Sequence, residues 1–117
     1  MKYFLSFLIF AATTAQAATI RFGAYNSATD SIDLNVTYSG GCKEHKWKLE
    51  VGACQESMPV RCPFAKLVDL TTDDYCEAIV ARKVSLPLEI TGLKTPYYKG
   101  ASLEIHGDNS AVQITLP

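Results

Sequence analysis

The stretch Trp47-Lys48-Leu49-Glu50-Val51 alternates an apolar residue with a charged one, and Lys46 extends the alternation backwards. A period of two puts Trp47, Leu49 and Val51 on one face of an extended strand and Lys46, Lys48 and Glu50 on the other. One face suits a core and the other suits water. A helical period would scatter the same residues around its axis.

Working outward, Ile20, Phe22 and Ala24 repeat the period, as do Ile32, Leu34, Val36 and Tyr38. On the C-terminal side come Val60, Cys62, Phe64 and Val68, then Val84, Leu86, Leu88 and Ile90. Leu103 with Ile105, and Val112 with Ile114 and Leu116, form a closing pair around the turn residues Gly107-Asp108-Asn109. These runs predict an all-β fold, an antiparallel β-sandwich of about seven short strands, immunoglobulin-like or a small barrel. Thr71 to Val80 alone has the residues for a helical turn, with Thr71-Thr72-Asp73-Asp74 as a cap, and a strand-linking loop fits it equally. Pro87 lies inside the fifth run, which predicts a sheet edge or a bulge there.

At the N-terminus, Lys2 precedes an apolar run from Tyr3 to Ala12, and Ala15-Gln16-Ala17 fits a small-residue cleavage site. Residues 1–17 therefore read as a signal peptide and 18–117 as a single β domain, destined for the periplasm or for secretion. The run is too short for a permanent membrane span, which needs roughly 20 residues, so no stable membrane insertion is expected. Without Lys2 the balance of 11 basic and 12 acidic residues becomes 10 − 12 = −2. That interleaved, mildly acidic surface argues against a nucleic-acid partner.

Cys42, Cys54, Cys62 and Cys76 all lie in the middle of the chain, and an exported domain oxidises them to two disulfides. Three pairings are open. Cys42 and Cys54 bracket the Trp47 strand, whose ends stand roughly 20 Å apart at the usual rise, whereas a bridge needs Cα atoms within about 7 Å. Pairing Cys54 with Cys62 across the Gln55-Glu56-Ser57-Met58-Pro59 connection, and Cys42 with Cys76, is the favoured arrangement. Cys54 lies on the Lys48 parity and Cys62 on the core parity, so a bulge at Gly52-Ala53 is expected to reconcile them.

The segments Gly40-Gly41-Cys42-Lys43-Glu44-His45-Lys46-Trp47, Cys54-Gln55-Glu56-Ser57-Met58-Pro59-Val60-Arg61-Cys62 and Cys76-Glu77-Ala78 resemble a group of small exported bacterial proteins with no assigned activity. The resemblance covers about the central third of the chain. It implies a bacterial, exported, compact all-β domain and supplies no mechanism.

A Cys42–Cys76 bridge would carry Glu44 and His45 toward Asp73, Asp74 and Glu77. Imidazole with carboxylates is a donor set for zinc or manganese, which makes Glu44, His45, Asp74 and Glu77 the candidate metal ligands, although their spacing is not diagnostic and His45 pairing with a carboxylate is the plainer expectation. Glu44 and Glu77 as paired acids, or His45 with Ser39 or Ser57, would be the hydrolase version, and no positioning motif accompanies them. No catalytic residue and no cofactor is assigned. Trp47 reads as core, His106 as a strand-end residue, one of Tyr97 and Tyr98 as exposed, and Asn35-Val36-Thr37 as an outward-facing sequon.

The strands account for most of the chain, so the leading expectation is a non-enzymatic binding or structural module with a protein partner. Its specific form is an inhibitor of an extracellular hydrolase acting through the Cys54–Cys62 loop. A metal-binding protein built on His45 and a small hydrolase are the alternatives.

Overall fold

Alternating sequence becomes seven strands in the computed structural model, which describes residues 18–117; the expected signal peptide, 1–17, lies outside the described residues. The strands are β1 Thr19–Asn26, β2 Ser31–Gly40, β3 Trp47–Glu50, β4 Arg61–Asp69, β5 Ala78–Pro87, β6 Ser102–Gly107 and β7 Ser110–Thr115. A single helical turn, α1 Leu88–Thr91, and a 3₁₀ turn, Pro96–Tyr98, link β5 to β6.

Two sheets form, ordered β1-β2-β5 and β3-β4-β6-β7. Their inward faces meet in one core, with Ile32, Leu34 and Val36 of β2 opposed by Leu67, Leu103 and Ile105, all essentially inaccessible to water. Along one side β1 lies against β7, where Ile20 N–H donates to Ser110 Oγ at 2.9 Å and Asp108 N–H donates to the Ala18 carbonyl at 2.8 Å. On the other side lie the edges of β3 and β5.

The sandwich expected from the sequence is the one that forms, with one departure in direction. Every other pairing is antiparallel, but β4 and β6 run parallel. Parallel neighbours need a long crossover, supplied here by β5, α1 and the 3₁₀ turn. Alternation specifies faces and carries no information on strand direction.

Two register shifts overturn individual assignments. Ile20 pairs with Val36 but Phe22 pairs with Asn35, so Arg21 is the extra residue of a bulge. Past it Phe22 and Ala24 turn to solvent, and Phe22 is 61% exposed rather than core. In β4 the register shifts between Cys62 and Ala65. Ala65, Leu67 and Asp69 therefore face inward, while Phe64 is exposed and Val68 is half-buried.

β5 pairs only with β2, so Pro87 does sit on an edge strand, at its last residue, where the chain turns into α1. Val84, Leu86 and Leu88 are buried as the alternation predicts, but Ile90 is on α1 and exposed. Between β4 and β5 the chain has no regular structure until Ala78, so the loop, not the helical turn, occupies Thr71 to Glu77. Asp108-Asn109 closes the β6–β7 hairpin as expected.

Both disulfides have the favoured pairing, Cys42–Cys76 with Cα atoms 5.8 Å apart and Cys54–Cys62 at 4.2 Å. β3 ends at Glu50, and Gly52, at φ +74°, takes the chain out of the strand before Cys54. No bulge in the β3 ladder is needed, because Cys54 no longer has a strand parity.

Candidate functional site

β2 ends at Gly40 directly opposite Ala78, the first residue of β5. The chain leaving one strand and the chain entering the next therefore lie side by side, and the Cys42–Cys76 bridge ties them. Between them sits the Asp74 carboxylate. Its Oδ2 accepts from the backbone N–H of Gly41 at 3.0 Å and of Lys43 at 3.2 Å, Cys42 N–H reaches both oxygens at 3.3 Å, and Cys76 N–H donates to Oδ1 at 3.2 Å. Successive N–H groups converging on one anion form a backbone nest. The approach requires glycine at position 40, because a Cβ there would lie 2.7 Å from Asp74 Oδ2 and 3.0 Å from His45 Nε2.

His45 closes the arrangement from the β3 side. Its Nε2 lies 2.8 Å from Asp74 Oδ2 and its Nδ1 lies 2.5 Å from Asp69 Oδ2. Asp69 is the last residue of β4 and faces inward because of the shift in that strand. Its second oxygen accepts from Thr71 N–H at 2.9 Å, and Thr71 Oγ1 in turn accepts from Lys46 N–H at 3.0 Å. The side chains of His45, Asp69 and Asp74 are only 2 to 3% exposed.

A neutral imidazole has one N–H, whereas both nitrogens here face carboxylate oxygens. Burial pulls the His45 pKa down, but the bonds to Asp74 and Asp69 and their charges outweigh it, and the net direction is up. The same contact, helped by the backbone N–H groups and opposed by burial, lowers Asp74 to about 2. Donation from both ring nitrogens requires the imidazolium, so the geometry and the raised pKa both favour a cation held between Asp69 and Asp74. The Tyr38 ring lies 4.4 Å from the imidazole and the Trp47 ring stacks at 6.0 Å, placing aromatic faces beside the cation. Trp47 is half-buried against the core rather than inside it.

Of the four candidate metal ligands, His45 and Asp74 come together, while Glu44 and Glu77 lie at the surface. Asp73 pairs instead with Lys43 at 2.6 Å. Asp69 was not among the candidates. Its signal in the sequence is an acid that interrupts the inward alternation of β4, hidden by the register shift. Cys42, Asp74 and Cys76 bring donor atoms together, but the two sulfurs are bonded to each other, and a metal at His45 would have to displace a carboxylate. Neither serine meets the imidazole. Ser39 is on the face of β2 opposite to Tyr38, and Ser57 Oγ donates to the Pro59 carbonyl at 2.9 Å. With both nitrogens engaged, His45 has no lone pair to act as a base.

A second feature stands on the Cys54–Cys62 loop. Gln55 and Arg61 bridge its base, with Gln55 N–H donating to the Arg61 carbonyl at 2.7 Å, and Ser57 N–H donates to the Gln55 carbonyl at 2.9 Å. Tyr97, on the 3₁₀ turn, donates from its hydroxyl to Glu56 Oε2 at 2.7 Å and packs edge-on against Tyr98. Tyr97 is the exposed member of that pair. Between the loop and Pro96–Gly100 lies a hollow of about 720 Å³. Met58, followed by a cis bond to Pro59, is 99% exposed. Comparison with family models, with curated proteins and with solved structures finds no match to this chain.

Proposed function

We propose that this protein is an exported, non-enzymatic binding module that presents the Cys54–Cys62 loop to a protein partner, in its specific form as an inhibitor of an extracellular hydrolase. The observation that carries this is Met58, which projects almost wholly into solvent from a loop closed by a disulfide and braced by Gln55–Arg61, Ser57–Pro59 and Tyr97–Glu56 contacts. A single exposed apolar side chain is ordinary on any surface. What supports the reading is the bracing, because a loop already ordered loses little entropy on binding. Methionine is also an adaptable filler of apolar pockets, and a projecting apolar side chain suits the concave cleft of a hydrolase.

The test is a pull-down from envelope and secreted fractions with the oxidised protein and with Met58→Ala and Glu56→Ala. A partner retained by wild type and reduced about tenfold or more by Met58→Ala supports the reading. Equal recovery of every partner by all three proteins removes this loop from consideration.

A further inference from the structure

β5 is ten residues long and pairs along its whole length with β2, from Ala78 opposite Gly40 to Pro87 opposite Ser31. Among the described residues no strand pairs with its other edge, although β3 of the second sheet lies close by, and no backbone hydrogen bond reaches that edge from a loop. A hollow of about 350 Å³ runs between this edge and the approach to β3. Five consecutive residues, Arg82 to Leu86, line one wall. Side chains on a strand alternate faces, so consecutive lining residues mean that the strand's edge itself forms the wall. Trp47 and Lys46 stand on the opposite wall with Glu44.

We propose that this groove accepts an extended acidic peptide segment of a partner protein, which adds to the sheet as a further strand beside β5. Backbone pairing would supply affinity and the groove's charges would supply selectivity. Arg82, Lys83 and Lys46 line the groove with His45, Glu44 is the one acid among its lining residues, and among the described residues neither Arg82 nor Lys46 has an ion-pair partner. Lys83 reaches only Asp33, at 3.9 Å on an exposed side chain. A second copy of the chain is a poor occupant. Antiparallel pairing of β5 with itself about its centre sets either Arg82 against Arg82 or Lys83 against Lys83 of the second copy, and like charges directly opposite are destabilising. A strand with glutamate opposite Arg82 and on its face of the sheet reverses the sign of that contact. Five residues of strand span roughly 17 Å, so a segment of about six residues fills the groove.

Trp47 is the chain's one tryptophan and forms part of the groove, so its fluorescence reports occupancy. The probe is a synthetic eight-residue peptide alternating glutamate with valine, titrated into the oxidised protein at low salt beside a peptide with lysine in place of glutamate. The expected result is saturable quenching or shift with the glutamate peptide, at least tenfold weaker binding of the lysine peptide, and slowed amide exchange at 82–86. An Arg82→Glu, Lys83→Glu double variant, checked for an unchanged melting temperature, should lose about tenfold in affinity for the glutamate peptide and gain affinity for the lysine peptide. A glutamate peptide N-methylated at alternate residues should not bind, because it cannot pair with an edge. Equal affinity for the two peptides, no effect of the charge reversal, undiminished binding of the methylated peptide, or dimerisation of the protein through this edge overturns the proposal.

Discussion

The imidazole of His45 and the carboxylate of Asp74 meet at 2.8 Å, joining the segment before β3 to the segment before β5. With Asp69 on the other ring nitrogen, this contact fastens two connections of the sandwich, β2–β3 and β4–β5, to the end of β4, beside the Cys42–Cys76 bridge. The same residues first suggest a ligand site. In the fold they satisfy one another.

Replacing His45 by glutamine leaves the carboxylates of Asp69 and Asp74 without their shared cation. Breaking a buried ion pair from one side costs about 3 kcal/mol, and urea unfolding of the oxidised protein should register a loss of that size. Zinc added to the wild type should leave the unfolding midpoint unchanged, since both imidazole nitrogens are engaged.

The latch has a pH window with two limbs. The folded pKa of His45 lies above the ordinary 6.5, so its contribution is complete below that value and is lost as pH rises through the raised one. Asp74 is held at about 2 against an ordinary 3.8, so its contribution is complete above the latter and lost as pH falls toward the former. Melting temperature against pH should show a plateau between about 4 and 6.5, with His45→Gln removing the alkaline limb and Asp74→Asn the acid limb.

Gly40→Ala should destabilise the protein by about 2 kcal/mol or more, because the added methyl group would press on Asp74 Oδ2 and His45 Nε2 within a packed centre. Gly92→Ala is the control. Nothing lies within 4 Å of its Cβ position and only the left-handed φ of +80° opposes the change, which costs about 1 kcal/mol. Thermal melts of the two variants separate crowding from backbone strain.

The two bridges should differ in weight. In the chain-entropy account a loop of 34 residues is worth about 4 kcal/mol and one of 8 residues about 2.5 kcal/mol. Denaturant unfolding of the Cys42→Ala, Cys76→Ala pair and the Cys54→Ala, Cys62→Ala pair checks the order, with a Cys62→Ala cavity correction because that side chain is buried.

Phe22→Ser should change stability by no more than about 0.5 kcal/mol, whereas Leu34→Ala should cost about 3 kcal/mol. Both residues look equally core-like in the alternating pattern. The Arg21 bulge makes them opposite, and unfolding of the two variants measures that difference.

Alternation in β2 and β3, turn residues at Asp108-Asn109 and the reach of an extended strand were enough to determine a disulfide-bonded sandwich and both of its bridges. These are local rules, in which a residue's face follows from its neighbours. The sequence alone did not reveal where an extra residue slips a strand, and so Phe22, Phe64 and Val68 were assigned by a period that two register shifts interrupt, and Asp69 was passed over. Nor did it reveal the parallel β4–β6 pair, because side-chain periodicity is the same for either strand direction. The meeting of His45 with Asp69 and Asp74 belongs to tertiary structure for a further reason. Sequence separations of 24 and 29 residues are closed only when two sheets stack and β2 ends opposite β5. Packing of the whole chain, rather than the spacing of its donors, decided that these groups neutralise one another and left the braced Met58 loop and the open edge of β5 as the surfaces turned to solvent.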